Sequence, residues 1–328
     1  MLVTTPSVKA WSGVLGDTPA ISPSEDNKHV WSVLAEDGRS YILKHIGRWR
    51  PGASLADEFR VLLHLQAAGI SVALHVPTDD AKLFAGEIVD KHILVPLIPA
   101  QPIDHELEPD AEGSCFRIGR SIGLLHKALE SYPWPVASFT ENIAEGFAEA
   151  YEILPAELQA LLAEPSRKRA DDALTGLPDH LMHGDCTPGN VLLRRELGHI
   201  VVAGFIDLDH LPHGQRIHDL GKYLSYQIRE LVRHPADRER RGMVFLHLVG
   251  CYVAGYQSVN PLSDREIAAI APAVLAADAS NTAWSYRILS GWQDRDQTGH
   301  AEAFRLGSLS VAWICEHFDQ LENATRIG

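Results

Sequence analysis

The densest collection of reactive side chains lies between residues 183 and 209. His183-Gly184-Asp185-Cys186-Thr187-Pro188-Gly189-Asn190 leads into the apolar Val191-Leu192-Leu193, and a second apolar run, 201–206, ends on Asp207-Leu208-Asp209. Pro188 and Gly189 impose a tight backbone course between Asp185 and Asn190. Paired as a hairpin, the two apolar runs would bring Asp185, Asn190 and Asp207 to one cleft. A proton-accepting carboxylate, an amide oxygen and a second carboxylate are the minimum set for metal-assisted transfer of a phosphoryl group to a hydroxyl. The same stretch admits a metal-dependent hydrolase with His183, Asp185, Asp207 and Asp209 as ligands. That alternative leaves Asn190 without a purpose.

The pattern His-Gly-Asp-x-x-x-x-Asn followed by Ile-Asp-x-Asp resembles the catalytic core of the aminoglycoside phosphotransferase and choline kinase family. These are small-molecule kinases with a protein-kinase-like fold. The resemblance implies ATP and Mg²⁺ as cofactors, Asp185 as the catalytic base, and Asn190 and Asp207 as the metal ligands. It implies that His183 is a structural anchor of the loop, and that Asp219, in Ile217-His218-Asp219-Leu220, braces the loop from a following helix. Asp209, the nearest acidic residue to this centre, is a candidate for holding an amine of the acceptor. The resemblance runs from about Asn27 to Tyr226, and the last hundred residues carry no motif.

The elements that must position these groups are legible upstream. Val30–Leu34 and residues 41–44 are strand-like runs separated by Glu36-Asp37-Gly38, a hairpin signal. Ser54 can cap a helix from 55 to about 68, with Gly69 as its stop. On that helix Glu58 shares an apolar stripe with Leu55, Leu62 and Leu65, where a lone carboxylate is costly. Lys44, ending its strand, is the natural partner, and in kinase-like folds this lysine holds the α/β-phosphates. Apolar runs at 83–89 and 92–98 follow. The family uses the second as its inter-lobe hinge, so backbone groups around Val95 and Leu97 are expected at the adenine. No G-x-G-x-x-G covers the phosphates. Residues 21–27 stand there instead, with Ser24 offering a hydroxyl and Asn27 resembling the family's strand entry.

Beyond 98 the chain reads as mainly helical, with Ile118, Ile122, Leu125 and Leu129 at helical spacing and later runs at 245–256, 267–277 and 306–318. The expectation is an α+β, protein-kinase-like two-lobed fold: residues 1–97 as a small sheet lobe with one helix, 98–328 as a larger helical lobe.

Composition narrows the partners. In 328 residues, 29 Lys and Arg against 43 Asp and Glu give a net charge of −14, which argues against nucleic acid or an anionic membrane as the partner. The charge favours an amine-bearing acceptor of the aminoglycoside or amino-sugar type, with homoserine or choline-like amino alcohols as the alternative. A catalytically inactive nucleotide-binding protein is a third reading, opposed by the complete Asp185, Asn190 and Asp207 set. Four scattered cysteines encode no disulfide framework, no apolar run is long enough to cross a membrane, and the N-terminus lacks a signal-peptide pattern. A cytoplasmic location is expected. Four features are given bland readings. His210, His213 and His218 cluster without forming a metal site, and Cys186 is a small buried filler. Glu141, Glu145, Glu149 and Glu152 form a solvated helix face. Trp292, Asp294 and Asp296 remain unplaced.

Overall fold

Strict alternation along short segments builds the first sheet. The computed structural model describes residues 6–24, 27, 29–46, 54–86, 90–162, 166–291 and 299–326. A short helix α1 (Ser12–Leu15) precedes four antiparallel strands in the order β1 (Ala20–Pro23), β2 (Val30–Leu34), β3 (Ser40–His45) and β4 (His92–Pro96). Trp31, Val33, Tyr41, Leu43 and Leu94 point to one face and form a core with Val8, Trp11 and Leu15. The opposite face carries Val30, Ile42, Lys44, Ile93 and Val95, and the register sets Lys44 opposite both Val30 and Ile93. Sequence patterning located β2 and β3 but not α1 or β1. Of the run at 83–89, Ala85 forms an isolated bridge to His92, and 87–89 lie outside the described residues.

Helix α2 (Leu55–Ala67) starts as expected, with Ser54 Oγ accepting the Asp57 N–H at 3.1 Å. Gly69 follows at φ +81°, a conformation that costs glycine little. The apolar stripe of α2 does not join the sheet's core. Val61, Leu62 and Leu65 belong to the large core that also holds Ile118, Ile122 and Leu125, and His64 Nε2 reaches the Ala128 carbonyl at 2.9 Å.

The second lobe runs through α3 (Ala111–Glu130), β5 (Thr140–Glu141), α4 (Ile143–Ile153), α5 (Ala156–Leu162) and α6 (Ser166–Leu174) to β6 (His180–Leu181). The hairpin β7 (Val191–Glu196) and β8 (His199–Phe205) follows, then β9 (His213–Gly214), α7 (Ile217–Val232), α8 (Arg238–Gln257), α9 (Asp264–Ala268), α10 (Ile270–Leu289), α11 (His300–Glu316) and α12 (Phe318–Arg326). Helices α3 and α8 cross closely because a Cβ at Gly119 or Gly255 would overlap the partner's backbone. Almost every residue of α7 is buried, so this helix is the lobe's central pillar. Glu141 lies on β5 and not on α4, so the acidic helix face expected from the sequence loses its first member. No described helix is long and apolar enough to cross a membrane.

Candidate active site

The β7/β8 hairpin sets the geometry of the site. Val191 pairs with Phe205, and the Ile206 N–H donates to the Asn190 carbonyl at 3.1 Å. Asn190 and Asp207 therefore leave adjacent strands at the same end. Asp207 has φ +60°. Aspartate enters that region more readily than most residues, and such backbone conformations persist where surroundings impose them.

Helix α7 holds the loop in front of the hairpin. Near its start, the fully buried Asp219 accepts the His183 and Gly184 N–H groups at 2.8 and 2.9 Å, and His126 Nε2 donates to it at 2.9 Å. Burial pushes the Asp219 carboxyl up, but the His126 hydrogen bond and charge outweigh it and hold the group well below the usual carboxylate range. Gly184 is at φ +79°, where a Cβ would overlap Pro212. His183 donates from Nε2 to the Ile206 carbonyl at 2.9 Å and accepts the Asp185 N–H on Nδ1 at 3.2 Å. Both ring nitrogens are thus committed to the backbone, as an anchor requires. No nitrogen is left for a metal, and the hydrolase reading loses its histidine.

Asp185 is gripped on both oxygens. Asn190 Nδ2 donates to Asp185 Oδ2 and to the Asp185 carbonyl, each at 2.8 Å. That use of the amide nitrogen leaves the Asn190 oxygen as the acceptor. The other carboxylate oxygen, Oδ1, lies 2.9 Å from Lys222 Nζ. Burial raises the Asp185 pKa, yet the Lys222 charge and hydrogen bond pull it below its ordinary value. Lys222 also donates to the Gly184 carbonyl at 2.9 Å. Burial lowers its pKa, but the Asp185 and Glu141 carboxylates raise it further, so the ammonium stays charged. Neither Lys222 nor His126 was assigned to the site from sequence. Both are single residues on helices, with no local pattern to mark them.

Above the loop is a cavity of about 800 Å³ lined by Lys44, Glu58, Asn27, Val95, Leu97, Asp207 and Asp209 among others. Ser24 is not in that lining, and its N–H is donated to the Val30 carbonyl at 2.9 Å. Asn27 is, with its side chain accepting the His29 N–H at 2.9 Å. Lys44 Nζ meets Asp207 Oδ1 at 2.5 Å. Glu58, 5% exposed, is met by His75 Nε2 at 3.1 Å. Among the described residues these two pairs replace the expected Lys44–Glu58 pair. The buried carboxylate did need a polar partner, and a histidine from the segment after α2 supplies one. The Leu97 N–H is turned back to the Ser40 carbonyl at 3.0 Å. Leu97 and Val95 therefore face the cavity with side chains, not with free backbone donors. Asp209, the candidate for holding an amine of the acceptor, lines the same cavity as Asp207. Trp292, Asp294 and Asp296 lie outside the described residues. Cys186 is buried and its thiol pKa is pushed up by that burial, as a filler's would be. Among the described residues no three metal-binding side chains cluster.

A second cavity of about 880 Å³ opens on the other side of the loop, between Thr187, Pro188 and Gly189 and the α7 residues Tyr226, Arg229 and Glu230, with Arg233 just past the helix end. The donor set of the upper cavity fits Mg²⁺ and a nucleotide. Asp207, with 41% of its side chain exposed, lines this cavity next to Lys44, and with the amide oxygen of Asn190 on the neighbouring strand end it would offer the hard oxygen ligands that Mg²⁺ takes.

A small antiparallel sheet over a helical lobe, a loop aspartate braced by a buried carboxylate, and a lysine–aspartate pair across the cleft define the kinase-like class of fold. The chain belongs to the phosphotransferase enzyme family (APH), whose model matches residues 19–259. It is 26% identical over 215 residues to a homoserine kinase of Rhizobium rhizogenes strain K84, covering 64% of this chain and 62% of that protein. The chain thus spans less than two thirds of that relative's length. A microcompartment-associated aminopropanol kinase has a similar structure (TM-score 0.72, 16% identity, 96% of each chain). An amicoumacin kinase solved with AMP-PNP, Ca²⁺ and Ami is also similar (TM-score 0.62, 19% identity, 93% of this chain and 88% of that one).

Proposed function

We propose that the protein transfers the γ-phosphoryl group of ATP, with Mg²⁺, to the hydroxyl of a small amino alcohol or hydroxy amino acid. The observation that supports this reading is that the β7/β8 hairpin sets Asn190, bonded to Asp185, and Asp207, bonded to Lys44, at the ends of neighbouring strands. Bound Mg-ATP supplies the phosphoryl group and a divalent charge to offset its oxygens. Asp207 and the Asn190 oxygen would hold the metal, and Lys44, with Asp207 and Asp209 in the same cavity, would hold the phosphates. Leu94 and His92 use their outward backbone groups on Val76 and Ala85. By strand alternation the next outward groups, the Pro96 carbonyl and the Ile98 N–H, are those left for adenine. Asp185 orients the acceptor hydroxyl and takes its proton.

One observation favours a small acceptor over an aminoglycoside. The charged groups lining the second cavity are already paired, Arg233 with Glu230, Arg229 with Asp278 and Asp104 with Arg241, so the lining leaves no surplus of negative charge for a polycation. The homoserine kinase and the aminopropanol kinase point the same way. The test is product formation from Mg-ATP and homoserine, aminopropanol, ethanolamine, choline, kanamycin and an amine-free sugar, followed by phosphorus NMR. A phosphate ester of homoserine or an amino alcohol is expected. Transfer to none of them, or equal transfer to the amine-free sugar, defeats the reading.

A further inference from the structure

Helix α7 grips one residue, Gly184, from both sides. Asp219 accepts the Gly184 N–H at 2.9 Å. One turn later, on the same helix face, Lys222 donates to the Gly184 carbonyl at 2.9 Å. The same ammonium lies 2.9 Å from Asp185 Oδ1. A neutral donor would satisfy the Gly184 carbonyl. Burying a lysine, 9% exposed here, is costly unless an anion lies against it. Asp185 is that anion, and its other oxygen is already held by Asn190.

We propose that Lys222 is a positioning residue for phosphoryl transfer, locking the plane of the Asp185 carboxylate before the acceptor arrives. This role rests on the proposed function. In the step it serves, the acceptor oxygen bonds to the γ-phosphorus as the bond from that phosphorus to the bridging oxygen breaks. The electron pair leaves with ADP, and the hydroxyl proton passes to Asp185. An ionised carboxylate has about four lone-pair sites. With one on each oxygen committed, the remaining ones point in fixed directions, and the hydroxyl meets an oriented partner. Misplacement of a reacting group by about 1 Å can cost about 10²-fold in rate.

The test uses Lys222→Met and Lys222→Gln, the second keeping an N–H for the Gly184 carbonyl, each made in wild type and in Asp185→Asn. In wild type, kcat should fall about 10²-fold with the KM for ATP nearly unchanged. In the Asp185→Asn background the same substitutions should cost almost nothing further, because a positioning residue has no effect without the group it positions. Equal losses in both backgrounds would show a loop brace and overturn the proposal. So would a kcat close to the parent's, or failure of both variants to fold. A wild-type protein that phosphorylates no acceptor in the panel refutes the function itself, whatever Lys222 does.

Discussion

Asp219→Asn removes one charge and almost no volume, so its cost can be worked from the bonds alone. The carboxylate takes two donors on Oδ2, the His183 N–H and His126 Nε2, and one on Oδ1, the Gly184 N–H. An asparagine oriented to keep the first two turns its NH₂ toward the Gly184 N–H. A buried donor left unmet costs about 1–3 kcal/mol, and two charge-assisted bonds that become neutral lose about 1 kcal/mol each. The sum is about 3–5 kcal/mol, a large part of the 5–15 kcal/mol typical of a folded domain. The folded pKa of Asp219 is depressed. Its contribution is therefore full above the unfolded value of about 3.9 and is lost as pH falls below that toward the folded value. At pH 7 the variant should show the whole deficit. Urea unfolding with an unchanged slope would measure it, and kcat should drop with it because the Asp185 loop loses its anchor. A deficit under about 1 kcal/mol at pH 7, or full activity in the folded variant, would refute the reasoning.

Asp185→Asn should lower kcat by about 10²–10⁴-fold, the range of a general base, with calorimetric ATP affinity nearly unaltered. Asp207→Ala should remove metal-dependent ATP binding, and Asn190→Ala should weaken it less because it supplies one neutral oxygen. Unchanged Mg-ATP binding titrations in Asp207→Ala would displace the metal from these residues. The KM of a zwitterionic acceptor should vary little between low and physiological salt, where the Debye length falls to about 8 Å. A steep rise would return the acceptor to the polycations.

The loop and hairpin were legible because their chemistry is local. A histidine, an aspartate and an asparagine at fixed spacing, followed by a β-branched strand ending in aspartate, leave few alternatives for residues 183–209. The cap at Ser54 and the stop at Gly69 are local in the same sense. What escaped depends on contacts between distant segments. Glu58 sits in an apolar stripe and demands a polar partner, but nothing in the stripe says whether Lys44 or His75 arrives first. Lys222 reads as one more lysine on an amphipathic helix until the helix is seated under the Gly184 peptide. The Leu97 N–H is spent on the Ser40 carbonyl, a matter of register that periodicity cannot supply. Net charge does not choose the acceptor, since a sum over the surface carries no address.

The packing of α2 has a consequence for how the molecule comes apart. The last strand of the sheet ends at Pro96 and α3 begins at Ala111, but the apolar seam runs elsewhere, between the sheet's own core of Trp11, Trp31, Leu43 and Leu94 and the core that α2 shares with α3. Cooperative units follow buried contacts and not the order of the chain. The amides of β1 to β4 should therefore exchange hydrogen through an opening of their own, at lower free energy than global unfolding. The amides of α2, though flanked by the sheet's strands in sequence, should be as slow as those of α3. Such an opening would carry Lys44 away from Asp207 and leave Glu58 and His75 where they are.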